Sequence, residues 1–210
     1  MKTKGSGLIF LGLLLIAAAV GLVCWNTFQD TRAGTMAAQD MALLLEQSAA
    51  VESAPADAPT VSSPTEEPAD YLLVPEMEMP VKGVDGREYV GTLELPTLDR
   101  TLPVLNGWDY ELLQVAPCRY EGSAYTGNLI IMAHNYDSHF GRLKNLQIGD
   151  PVTFRDVEGN TFSYQVASLE TLNPTDTEEM EAGDWDLTLF TCTIGGKYRV
   201  TVRCSQIPGT

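Results

Sequence analysis

Positive charge is in short supply in this sequence. Its 210 residues carry 13 Lys and Arg against 28 Asp and Glu, a formal net charge of −15. Neutralising phosphate needs concentrated Lys and Arg, so a general nucleic-acid-binding surface is excluded. The same shortage argues against docking on anionic lipid through a polybasic face. Histidine is scarcer still: only His134 and His139 are available for imidazole chemistry. The four cysteines, Cys24, Cys118, Cys192 and Cys204, form no CxxC, so a zinc ribbon or thioredoxin-type site has no support. There is no internal repeat.

The charges that are present are partitioned along the chain. Residues 1–25 hold Lys2 and Lys4 and no acid. Residues 26–80 hold one base, Arg32, and ten acids, and residues 81–210 hold ten bases and 18 acids. An anchor, an acidic stalk and a folded domain follow from this division. Residues 7–25, GLIFLGLLLIAAAVGLVCW, are 19 in number and uncharged. At 1.5 Å per residue they span about 28 Å as a helix, close to the thickness of a bilayer core. A cleaved signal peptide has a shorter apolar run ending in a small-x-small site. Here the exit reads Cys24-Trp25-Asn26-Thr27-Phe28, so the run reads as an uncleaved signal anchor with Trp25 at the interface. The two lysines hold residues 1–6 in the cytoplasm and export the rest. The expected location is the cell membrane, single-pass, with the domain extracellular.

Residues 26–80 read as a Pro/Ala-rich acidic stalk. Met36, Met41, Leu44 and Leu45 give a weak helical pattern that extends the anchor helix. Residues 48–70 hold four prolines, six alanines, five acids and no base, a composition that cannot bury a core.

From residue 81 the text changes to short strand-like runs, at 89–95, 128–133, 151–155, 161–169, 187–193 and 197–204. Turn signals such as Asp85-Gly86, Asn106-Gly107, Glu158-Gly159-Asn160 and Gly195-Gly196 separate them. Helical text is limited to 110–115 and a turn around 140–146. Residues 81–210 therefore read as an all-β barrel or sandwich, long enough for one core.

Cys24 is an apolar filler in the anchor, Cys118 sits in loop-like text and Cys204 ends the last strand. An exported Cys118–Cys204 disulfide is conceivable in an oxidising compartment, but nothing in the sequence brings the two together. Cys192 differs. It closes the apolar run Leu187-Thr188-Leu189-Phe190-Thr191 ahead of a Gly-Gly turn, where a thiol becomes a nucleophile if something activates it. Read alone, a buried structural cysteine is the better reading. Its partners change the balance. His134 leaves the apolar run 129–133 for a polar loop, a placement that suits acid–base work. Arg199 lies in the strand after Cys192 and shares a face with Thr201 and Arg203, while Val200 and Val202 face the core.

Together these residues resemble the sortase family. Leu187-Thr188-Leu189-Phe190-Thr191-Cys192 is similar to its TLxTC signature, and Arg199 follows on the next strand. Asn128 to His134 resembles the strand that delivers the sortase histidine, and Gly91-Thr92-Leu93-Glu94-Leu95-Pro96 resembles the opening strand. The likeness spans about residues 88–207, in the order His, Cys, Arg. The Cys192–Arg199 loop is short, no aromatic lid motif is present, and the pattern leans toward class B-like or short class D/E-like members.

The resemblance implies a closed barrel of about eight strands and a membrane-anchored cysteine transpeptidase. Such an enzyme cleaves an LPxTG-like sorting motif near the C-terminus of an exported protein. It then joins the acyl group to an amine of a cell-wall precursor or a pilin-type protein. By resemblance Cys192 is the nucleophile, His134 the acid–base partner and Arg199 the oxyanion or backbone donor. The chemistry requires no metal or organic cofactor. His139 is expected in a surface loop, and Arg203 at a salt bridge or rim. The six acids from Asp176 to Asp186 match no calcium-loop spacing and read as a solvated face.

Other readings are less well supported. Papain-like enzymes place Cys before His, and the L,D-transpeptidase type expects Gly where Thr191 stands. A membrane-tethered binding barrel, or a sortase-like pseudoenzyme, is the non-catalytic alternative.

Overall fold

A computed structural model describes residues 4–52 and 69–207; residues 53–68, the middle of the expected stalk, lie outside the described residues. Helix α1, Lys4–Glu52, is followed by a single helical turn, α2, Asp70–Leu73. Nine strands come next: β1 Lys82–Val84, β2 Arg87–Leu95, β3 Arg100–Leu105, β4 Cys118–Glu121, β5 Leu129–Ala133, β6 Pro151–Asp156, β7 Thr161–Leu172, β8 Leu187–Cys192 and β9 Arg199–Gln206. A short helix α3, Thr177–Glu181, sits between β7 and β8.

The strand order is β1-β2-β3-β4-β5-β8-β9-β7-β6, and β6 pairs back onto β2. This pairing closes an eight-stranded barrel, with β1 hairpinned onto β2 outside the ring. All pairs are antiparallel except β3–β4 and β5–β8. Closure removes the exposed sheet edges that would otherwise recruit another chain.

Alternation of apolar residues sets the faces. Along β7, Phe162, Tyr164 and Val166 are buried while Thr161, Ser163 and Gln165 are exposed. On β8 every residue up to Thr191 is buried. Leu187 and Leu189 point into the barrel core, whereas Phe190 packs outside with Ile130, Leu172 and Met180 under α3. A strand covered on both sides needs a largely apolar run, and in β8 the two buried threonines, Thr188 and Thr191, are each hydrogen-bonded.

The helical extension read at Met36 to Leu45 is present: residues 26–52 continue α1. At this end of the expected stalk the helix does not stand free but lies along β1 and β3. Its buried stripe is Ala33, Ala37, Asp40 and Leu44, a spacing of four and three that keeps one face toward the barrel. Asp40 accepts hydrogen bonds from Arg87 at 3.0 and 2.9 Å and from the Tyr89 hydroxyl. At the other end Tyr71 stacks on Tyr125 at 4.6 Å, and Met79 joins the core. Both ends are therefore part of the folded unit, because small and paired polar side chains give the helix a face that packs.

Candidate active site

The register of three strands brings the candidate residues together. β5 and β8 run parallel with Ala133 opposite Thr191, so His134 and Cys192 occupy the next step on neighbouring strands. The Thr191 hydroxyl donates to the Ala133 carbonyl at 2.8 Å and locks that step. β8 and β9 run antiparallel with Cys192 directly opposite Arg199. Between them Thr193 N–H donates to the Tyr198 carbonyl at 2.9 Å, and Gly195 and Gly196 turn the chain at φ 83° and 71°. Side chains with core positions at 129, 131 and 133 on β5, and at 200, 202 and 204 on β9, leave His134 and Arg199 on the outer face. Cys192 shares that face with Phe190.

The three residues line one cleft of about 220 Å³. Its wall is apolar and aromatic, with Trp108, Tyr120, Met132, Phe190 and Met180, and its rim includes Asn173 and Asp176. Trp108 stacks on Tyr120 at 5.9 Å, and Tyr120 meets Phe190 edge-on at 5.5 Å. Sequence reasoning missed this wall, because Trp108 and Tyr120 come from segments that show no strand or helix period.

The ionisable groups are tuned by burial. His134 is partly buried, and desolvation pulls its imidazole below the ordinary range. Cys192 is half-buried, whereas Cys118 and Cys204 are fully buried and their thiols are pushed up to about 12. A thiol held that high is inert at neutral pH. All four cysteines are free, and Cys118 and Cys204 pack in different clusters, so the geometry does not favour the conceivable disulfide. Arg199 keeps Nη1 buried without a hydrogen-bond partner, a donor available to a bound group.

Arg203 lies four residues further along β9 and is 2% exposed. It donates to Glu170 at 2.6 Å, to the Met180 and Glu179 carbonyls at 2.6 and 2.5 Å, and to Thr188 at 3.0 Å. It is a salt-bridging residue as expected, but it lies under α3 and not at a rim. The expected solvated face at 176–186 is thus partly a structural element, pinned by Arg203 and by buried Met180.

His139 departs from expectation. It is fully buried, not in an exposed loop. Burial, then the nearby His134 charge, hold its imidazole down to about 4. The cause is α1, which covers the loop after His134: Asp30 accepts from Ser138 N–H at 2.9 Å, and the Ser138 hydroxyl donates to the Asp30 carbonyl at 3.1 Å. Gly34 makes that approach possible, since a Cβ there would sit 2.8 Å from the Ser138 Cβ. Tyr136 bridges the two imidazoles, with ring centroids 4.9 Å from His134 and 5.6 Å from His139.

The profile of the sortase domain matches residues 93–207, more than half of the chain. The chain belongs to the sortase family. Solved sortases share its fold. Sortase C1 from Streptococcus suis is 27% identical, with a TM-score of 0.51 over 58% of this chain and 74% of that chain. Sortase C1 from Streptococcus agalactiae is 21% identical, with a TM-score of 0.54 over 82% of this chain and 90% of that one. Clostridium perfringens sortase C with the C-terminal cell wall sorting motif is 22% identical, with a TM-score of 0.51 over 58% and 71% of the two chains. No curated protein matches the sequence. Like other sortases, this one has a closed barrel, preceded here by a helix long and apolar enough to cross a membrane.

Proposed function

We propose that this sortase is an active cysteine transpeptidase, anchored in the cell membrane through residues 7–25 with its N-terminus cytoplasmic and its barrel outside. It cleaves an LPxTG-like motif of exported proteins and passes the acyl group to a cell-wall or pilin-type amine. The observation that carries this reading is the register that sets Cys192 opposite Arg199, with His134 one step along the neighbouring strand.

The Cys192 thiolate adds to the scissile carbonyl, forming a carbon–sulfur bond and moving an electron pair onto oxygen. Arg199 Nη1, which has no other partner, donates to that oxyanion. Collapse breaks the carbon–nitrogen bond, and His134 gives its proton to the departing amine, leaving a thioester on Cys192. Burial makes the His134 proton easy to surrender. Neutral His134 then takes a proton from the incoming amine, and the second collapse returns the Cys192 thiolate. The aromatic wall of Trp108, Tyr120 and Phe190 receives the apolar side chain of the motif.

The test presents the full chain in detergent with LPxTG, LAxTG and NPxTN peptides and an amine, following acyl-enzyme by intact mass. The expected result is a thioester on Cys192 with one motif class, abolished in Cys192→Ala and slowed at least about 10²-fold in His134→Ala. A thiol probe that labels Cys192 no faster than the unfolded chain, together with no cleavage of any peptide, would support a binding barrel and overturn the reading.

A further inference from the structure

We infer that α1 holds the barrel with its site-bearing end down against the bilayer, so that the surface around the cleft mouth is a lipid-facing surface. The inference rests on the anchor proposed above and on the direction in which α1 crosses the barrel.

That direction is fixed by three contacts. Asp30 grips Ser138, in the loop that follows His134. Asp40 is bonded to Arg87 and Tyr89 on β2, further from the site. Leu44 reaches the groove lined by Gly91 and Asp156, at the far end where β2 meets the close of β6. α1 therefore enters at the His134 end and leaves at the opposite one. The bilayer run ends near Trp25, which is five residues, about 7.5 Å of helix, from Asp30 and about 28 Å from Leu44. The helix is continuous from Lys4 to Glu52, so there is no hinge between the span and the docked stem about which the barrel could turn over.

A second observation bears on the same end. The hairpin tip between β8 and β9 lies beside the cleft and carries Ile194, 90% exposed, and Lys197. The tip itself, residues 193–198, carries Lys197 and no acid; Arg203 is buried against Glu170, and the acid Asp176 stands on the cleft's rim. In a chain of net charge −15, an acid-free tip is one place on the barrel that an anionic headgroup layer repels little. The partner of this surface is therefore an anionic lipid headgroup layer. The charge does not create the binding; the anchor does, and the acid-free tip makes close approach tolerable.

Depth can be read without any transpeptidation. The full chain carrying Cys24→Ala and Cys192→Ala receives one new thiol, at Ile194→Cys or at Glu158→Cys on the opposite end. Cys118 and Cys204 stay unlabelled because they are buried with thiols near 12. Each protein is labelled with bimane and reconstituted into phosphatidylglycerol/phosphatidylethanolamine liposomes containing a lipid with a nitroxide on its headgroup. Several-fold stronger quenching at position 194 than at 158 is expected. Inserting seven alanines after Asn26 lifts the barrel about 10 Å while rotating it only about 20°, and should return position 194 to the level of 158. Equal quenching at the two positions, or quenching at 194 that survives the insertion, overturns the inference and leaves the catalytic reading intact. Failure to float with the liposomes overturns both the anchor and this orientation.

Discussion

Arg199 and Arg203 share one face of β9, and the pleat separates their jobs by about 13 Å. Arg199→Ala and Arg199→Lys are each expected to slow peptide turnover by about 10²-fold or more, since an ammonium cannot reproduce the guanidinium fork. Alkylation of Cys192 should persist in both. Arg203→Ala should instead lower stability by about 2 kcal/mol in urea unfolding, because it strands Glu170 and frees two carbonyls beneath α3. The reverse pattern would shift the site along β9. His139 makes a pH prediction. Its folded-state pKa, about 4, lies below the ordinary 6.5, so the unfolded chain binds the proton first as pH falls. The stability is whole above about pH 6.5 and drains away toward pH 4, by roughly 3 kcal/mol at the limit. Thermal melts of His139→Phe should fall less steeply over that window than those of the parent; parallel curves would mean His139 is not the sensor. The placement of His134 and Cys192 at neighbouring strand ends was legible in the sequence because an apolar run precedes each, whereas Arg199 opens β9 and was singled out only through the family resemblance. The burial of His139 was not, because the covering residues lie about a hundred positions upstream.

Elements were readable where period two governed. The runs at 89–95, 151–155 and 161–169 correspond to β2, β6 and β7, each with one apolar face. β4 was missed since Cys118 to Glu121 is only four residues with no clear alternation. α3 was hidden in acidic text whose one anchor is Met180. The docking face of α1 was legible only in part. Of the pattern Met36, Met41, Leu44 and Leu45, Leu44 is buried and Met36 packs against the core, but the rest of the stripe is Ala33, Ala37 and Asp40. Close approach selects small residues, and Asp40 is tolerated only through its bonds to Arg87 and Tyr89. Gly34→Val tests this packing: its side chain has no room against Ser138, and a loss of about 1–3 kcal/mol is expected from overpacking. Unfolding should be followed by urea titration in detergent. No change in midpoint would mean that α1 contributes nothing to the folded unit.

For the molecule as a whole, the charge of −15 is a standing load on the compact state. Ion pairs such as Arg142–Asp137 and Arg87–Asp40 offset only part of it. Raising ionic strength from about 0.01 to 0.15 M contracts the screening length from roughly 30 to 8 Å, so the melting temperature should climb with salt. A flat or falling melting temperature would show that local pairs dominate the long-range repulsion.

The pairing of β5 with β8 has a kinetic consequence. The bond from Thr191 to Ala133 spans 58 residues, and β2 closes on β6 across a similar separation. Loops of that length must be drawn together before any contact rewards them, which places such barrels among slow folders, on the order of milliseconds to seconds. β5, β8 and β9 are neighbours in the sheet, so the three site residues meet once β8 has paired with β5 and β9, whether or not β2 has yet met β6. On the proposed mechanism, a newly extended chain holds Cys192 apart from His134 and Arg199, and the pairing of β8 with β5 and β9 is the folding event that brings the three together.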